Sequence, residues 1–175
     1  MKYYILETDE GFDWIWSKEI ELRRFSMDFE GLPMNTDWKE IEVDYVDKGN
    51  RDFDICVATS PLYILSKKSA NLLENILIEY GELLPMKSPN NNYVGFHCTN
   101  IISNALIIKD CEIDWLDKDE GWINGIKEYA FDNEKIKNSL IFRVPSKYSY
   151  ETFFSEKLKL IIEENKLKGF VFKEI

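Results

Sequence analysis

Histidine occurs once, at His97, and cysteine three times, at Cys56, Cys98 and Cys111. These side chains are best suited to nucleophilic or metal chemistry, and their scarcity limits both. A cysteine nucleophile needs its base within hydrogen-bond reach. His97 and Cys98 are neighbours, and neighbours in a strand point to opposite faces. A Cys–His pair would therefore have to draw on Cys56 or Cys111. Three buried structural thiols are the simpler reading. The chain holds no GxSxG elbow, no Walker A loop and no GxGxxG turn. Asp110, Glu112, Asp114, Asp117, Asp119 and Glu120 have a spacing that superficially suggests a calcium loop. Trp115 and Leu116 occupy its centre, however, and no glycine sits where the sharp turn is needed. Among 32 Asp and Glu, a pair for glycoside chemistry cannot be picked out by counting. No catalytic residue, metal or cofactor is assigned.

What remains distinctive is charge beside aromatic rings. Asp110–Trp122 carries six carboxylates with Trp115 and Trp122, around a turn ending in Gly121. Glu7–Trp14 carries Asp9, Glu10, Asp13 and Trp14 around Gly11. A charged rim with an aromatic anchor suits docking on a basic partner. The bland alternative is a solvated hairpin, with Trp14 and Trp16 in a core.

The elements that must position these segments follow from periodicity. Lys2–Glu7 reads as a strand and Phe25–Phe29 as a short one. Trp38–Val46 alternates, with Ile41, Val43 and Tyr45 on one face and Glu40, Glu42 and Asp44 on the other. Phe53–Ala58 reads as a strand. Ser66 opens a helix with an apolar stripe of Leu72, Leu73, Ile76, Leu77 and Tyr80; Gly81 ends it in a left-handed conformation. Leu83–Pro85 and Tyr93–Phe96 read as strands, with a loop at Ser88–Asn92 and a short helix at Asn100–Leu106. Residues 112–116 and 122–131 form a hairpin about the Asp117–Gly121 turn. Asp132 caps a helical turn at Asn133–Lys137, and Leu140–Val144 is a strand stopped by Pro145. Ser155 caps a second main helix striped by Leu158, Ile161, Ile162 and Asn165. Gly169 ends that region before a closing strand, Phe170–Phe172.

At 175 residues, 45% of them hydrophobic, the chain is long enough for a real core in a single domain. The first 60 residues hold 15 Asp and Glu against 7 Lys and Arg, a net of −8. Residues 61–175 hold 17 against 15, a net of −2, which suggests an acidic N-terminal lobe, 1–60, and a C-terminal lobe, 61–175. A net charge of −10 disfavours non-specific nucleic-acid binding and favours a basic partner. No apolar run approaches the roughly 20 residues of a membrane span. An odd cysteine count, no CxxC and no export signal point to reduced thiols in the cytoplasm.

The C-terminal third also carries a resemblance. Ile141-Phe142-Arg143, then Phe153 to Leu158, then Leu167 to Phe172, resemble the signature of a bacterial immunity-protein family. That family was first catalogued as a domain of unknown function and is typified by a myxobacterial member. Upstream, Gly31-Leu32-Pro33, Trp38, Ser66–Leu77, Leu83–Pro85 and Tyr93–Leu106 resemble its weaker markers in order, so the likeness runs from about Gly31 onward. His97-Cys98-Thr99 and Tyr148-Ser149-Tyr150 depart from the pattern and mark candidate member-specific contacts. Members are encoded beside polymorphic toxins. The resemblance implies a non-enzymatic protein that binds a cognate toxin and blocks it by steric occlusion. Periodicity predicts an α+β fold, a mostly antiparallel sheet with two main helices packed on one side. The rival readings are a small hydrolase or transferase with an unrecognised Cys or carboxylate site, and a regulatory module whose partner is not a toxin.

Overall fold

A computed structural model describes residues 2–9, 11–12, 15–17, 31–34, 36–46, 49–50, 52–59 (of 57–59 the backbone alone) and 62–175. The short strand expected at Phe25–Phe29 lies outside these residues, as do Glu10, Asp13 and Trp14. In chain order the strands are β1 (Tyr3–Glu7), β2 (Ile15–Trp16), β3 (Ile41–Glu42), β4 (Asp44–Tyr45), β5 (Ile55–Thr59) and β6 (Leu62–Ser66). Helix α1 (Lys67–Tyr80) leads to β7 (Gly81–Lys87) and β8 (Tyr93–Cys98). Strands β9 (Glu112–Asp117) and β10 (Trp122–Glu128) come next, then the short α2 (Asn133–Ile136), β11 (Ile141–Arg143) and β12 (Thr152–Ser155). Helix α3 (Glu156–Glu164) and β13 (Val171–Glu174) complete the order. The fold is α+β and mostly antiparallel, as expected; the pairing of β3 with β7 is parallel.

Two sheets carry the molecule. One has the order β3-β7-β8-β6-β5, the other β11-β12-β1-β13. A central core lies between them. Tyr63, Leu65 and Phe96 come from the first sheet, Leu6, Ile141 and Phe154 from the second. Both main helices send their apolar faces into the same core, α1 through Leu73 and Leu77, α3 through Leu158 and Ile162. The opposite face of the first sheet, with Leu62, Ile64, Leu84 and Tyr93, builds a second cluster. The opposite face of the second, with Tyr3, Phe142 and Phe153, builds a third. Alternate residues of one strand thus serve two cores, which is the period of 2 at work.

The helix starts are as read. The Ser66 hydroxyl accepts the Ser69 N–H at 3.1 Å and the Ser155 hydroxyl the Leu158 N–H at 3.3 Å. The buried face of α1 is rotated from the expected stripe: Ser69, Ala70, Leu73, Leu77 and Tyr80 are buried, and Leu72 is 44% exposed. Gly81 is not left-handed. Its φ of −176° is extended backbone that opens β7. A Cβ there would lie 2.2 Å from the His97 carbonyl oxygen, so close approach of β8 requires the glycine.

Residues 100–106 are not a helix. The Ile102 N–H donates to the Arg143 carbonyl and the Arg143 N–H to the Asn100 carbonyl, both at 2.9 Å. The Asp132 N–H donates to the Ala105 carbonyl at 2.8 Å. Backbone groups spent on partners elsewhere cannot close i→i−4 bonds. Buried Asp54 fastens the front of α1 to the segment before β13. It accepts from the Ser66 hydroxyl at 2.8 Å, and from Lys68 Nζ and the Lys168 N–H at 3.0 Å.

Candidate functional site

The acidic segment is a two-stranded antiparallel hairpin, β9 with β10. Its turn forms because the Asp117 carboxylate accepts the N–H groups of Asp119 and Glu120, each at 3.0 Å, and because Gly121 takes a φ of +74°. Strand β10 stops at Glu128, short of the expected residue 131; Phe131 instead forms an isolated bridge with Leu106. Three register shifts interrupt the pairing, each a local bend of the kind that re-aims side chains.

Cross-strand partners divide the hairpin into two faces. Ile113 opposes Ile126 and Trp115 opposes Ile123, giving a half-buried apolar face. Among the described residues, none of these four joins the three apolar clusters. Glu112 opposes Glu128 and Asp114 opposes Gly125, giving an acidic face. Like charges placed opposite each other repel; Lys127 Nζ, 3.8 Å from Glu112, offsets part of this. Trp122 is 60% exposed and Leu116 70%.

The carboxylates are not equivalent. Asp117 is the turn's cap, and Asp114 accepts the Asn124 amide at 2.8 Å. Asp110, Asp119 and Glu120 are exposed. In the other candidate segment, Asp9 is also a turn former, accepting the Gly11 N–H at 2.8 Å. The structure does not join Asp9 to the hairpin through any hydrogen bond or ion pair among the described residues.

A groove of about 580 Å³ runs between β10 and residues 146–151. Trp122, Gly125, Tyr129, Tyr148, Tyr150 and Glu151 line it. Its outer wall is stiff. The Tyr148 N–H donates to the Pro145 carbonyl at 2.9 Å, and the Tyr129 hydroxyl and Ser149 hydroxyl lie 3.1 Å apart. Tyr129 stacks on Phe131 and meets the edge of Phe153. Tyr150, 54% exposed, stands at the rim. Sequence reasoning placed neither Tyr129 nor Glu151 at a site. Its one signal was the departure at Tyr148-Ser149-Tyr150.

His97 and Cys98 lie inside the scaffold. His97 is fully buried, its Nδ1 2.9 Å from Glu82 Oε1, which also accepts the Met34 N–H at 2.7 Å. Burial pushes the Cys98 thiol up to about 12, the opposite of what a nucleophile needs. All three cysteines are free thiols. Cys56 is buried and its Sγ lies 3.9 Å from the Ile15 carbonyl; Cys111 points at the carbonyls of Ile107 and Ala130. Among the described residues no three His, Cys, Asp or Glu side chains come together as a metal site, and no helix is long and apolar enough to cross a membrane.

No match was found among curated proteins. The profile of an immunity protein family (Imm11) matches residues 104–175. The weaker markers read upstream, from Gly31 to Ser103, lie outside that match. Hairpin, groove, α3 and the last three strands all fall within it, and over this C-terminal stretch the chain matches the immunity protein family Imm11.

Proposed function

We propose that this protein is a cytoplasmic immunity protein. It binds a cognate secreted toxin one to one and blocks it by occupying its active site or substrate path, with no turnover of its own. The observation that carries the reading is the family match over residues 104–175. The hairpin β9–β10 supplies the docking surface. Its apolar face and Trp122 are kept out of the cores, and its rim is anionic, a combination suited to a basic toxin surface.

The test is co-expression with the toxin domain encoded beside the gene, together with binding kinetics. Wild-type protein rescues growth and titrates the toxin stoichiometrically. Replacing Asp110, Asp119 and Glu120 with lysine slows association, and the difference shrinks as salt rises. Single replacements do little, because an exposed pair is worth only about 0–1 kcal/mol. Asp114 and Asp117 are left alone because they hold the hairpin together. Failure to protect or to bind overturns the immunity reading; wild-type association by the folded triple variant overturns the acidic rim alone.

A further inference from the structure

We infer that the groove between β10 and residues 146–151 receives an arginine or lysine from an exposed, apolar-flanked loop of the toxin, its cationic head paired with Glu151. This rests on the immunity reading above and names the chemistry of the contact. Trp122, Tyr129, Tyr148 and Tyr150 line the groove, and aromatic faces attract cations. The protein already shows this preference in place: the Lys147 ammonium lies 4.8 Å from the Tyr148 ring centre.

Glu151 supplies the charge complement. It is half-buried, and among the described residues its carboxylate makes no hydrogen bond or ion pair. The cation that acts on it electrostatically, Lys173, is held by Glu7 at 2.9 Å. A carboxylate withdrawn from water without a donor is costly, and a docking cation removes that cost. Lys147, the one cation among the described lining residues, is exposed to water. The wall is pre-organised by the Tyr129–Ser149 contact and by packing on Phe131 and Phe153, so little ordering is required on binding. The side toward β10 is open, since a Cβ added at Gly125 would meet nothing within 4 Å.

The experiment measures equilibrium binding of the full-length protein to the toxin domain encoded beside its gene. Circular dichroism of each variant confirms folding. Glu151→Gln, nearly isosteric, raises Kd at least tenfold, and Tyr150→Ala does the same. Gly125→Val, which fills open space rather than displacing protein atoms, abolishes binding. Lys147→Glu leaves Kd unchanged or lowers it. Replacing the toxin's basic residue with methionine removes the sensitivity to Glu151→Gln, which assigns the pair. Wild-type affinity in both Glu151→Gln and Gly125→Val overturns the proposal while leaving the immunity reading standing. A loss confined to Lys147→Glu means the groove takes an anion, and also overturns it. No binding by the wild-type protein defeats the immunity reading itself, and the groove proposal with it.

Discussion

Glu151 is an uncomfortable group on this surface, and its discomfort can be measured without a partner. Burial pushes its carboxyl above the ordinary range; Lys173 opposes the shift and Glu7 adds to it. A raised carboxylate pKa means the folded chain holds the proton more tightly than the unfolded one. Stability therefore falls as pH rises through the window between the ordinary and the raised value, and the full penalty stands at neutral pH. Glu151→Gln removes that penalty. Its denaturant midpoint is expected to exceed wild type at pH 7, with the gap closing below about pH 4, where the unfolded carboxyl is also protonated. The same change is expected to stabilise the fold and weaken toxin binding, a split that a merely structural residue does not produce. The hairpin shows why such roles were only half legible in sequence. Asp117 and Asp119 are the same residue type two positions apart, yet one spends its oxygen on backbone N–H groups and the other does not. Composition cannot show where a lone pair is spent.

At the scale of elements, legibility followed exposure. The hairpin, α1 and α3 each have one wet side, so their periodicity was visible. Strands β6 and β12 were missed. In β6, Leu62, Tyr63, Ile64 and Leu65 are all at most 2% exposed, and in β12 all four residues are buried. A strand buried on both faces has no alternation to read. The helix expected at Asn100–Leu106 failed for another reason, since its backbone groups are bonded to Asp132 and Arg143. The stripe of α3 was right in part: Leu158 and Ile162 are buried, Ile161 only packs at the margin of the central core, and Asn165 is an exposed C-cap. Leu73→Ala and Ile162→Ala should each cost about 2–5 kcal/mol, and Ile161→Ala clearly less. Denaturant unfolding of the three variants checks the order. A cost for Ile161→Ala as large as that for Ile162→Ala would show that the face has been misread.

For the molecule as a whole, the two ends of the chain are interleaved. Strand β1 is hydrogen-bonded on one side to β12, with Tyr4 opposite Phe154, and on the other to β13, with Tyr4 opposite Glu174. The Lys2–Glu174 ion pair, at 2.9 Å, closes the same edge. The groove belongs to this arrangement, because its outer wall is the β11–β12 connection and Glu151 sits within electrostatic reach of Glu7. A surface confined to the C-terminal match is thereby braced by the first few residues, a coupling that no local window of sequence displays.

That interleaving sets a clock on synthesis. Strand β1 leaves the ribosome well before its two neighbours, which are made only after some 150 further residues. Until then Tyr3, Tyr4 and Leu6 have no sheet to enter, and both edges of the strand are bare. Pairings of such long separation form late and slowly. Ribosome-arrested chains ending before Thr152 should be cut by protease within β1, and chains extended past Glu174 should resist. Until β13 has been translated, each copy exposes a strand with at least one bare edge, so the fold is completed only as its last strand emerges.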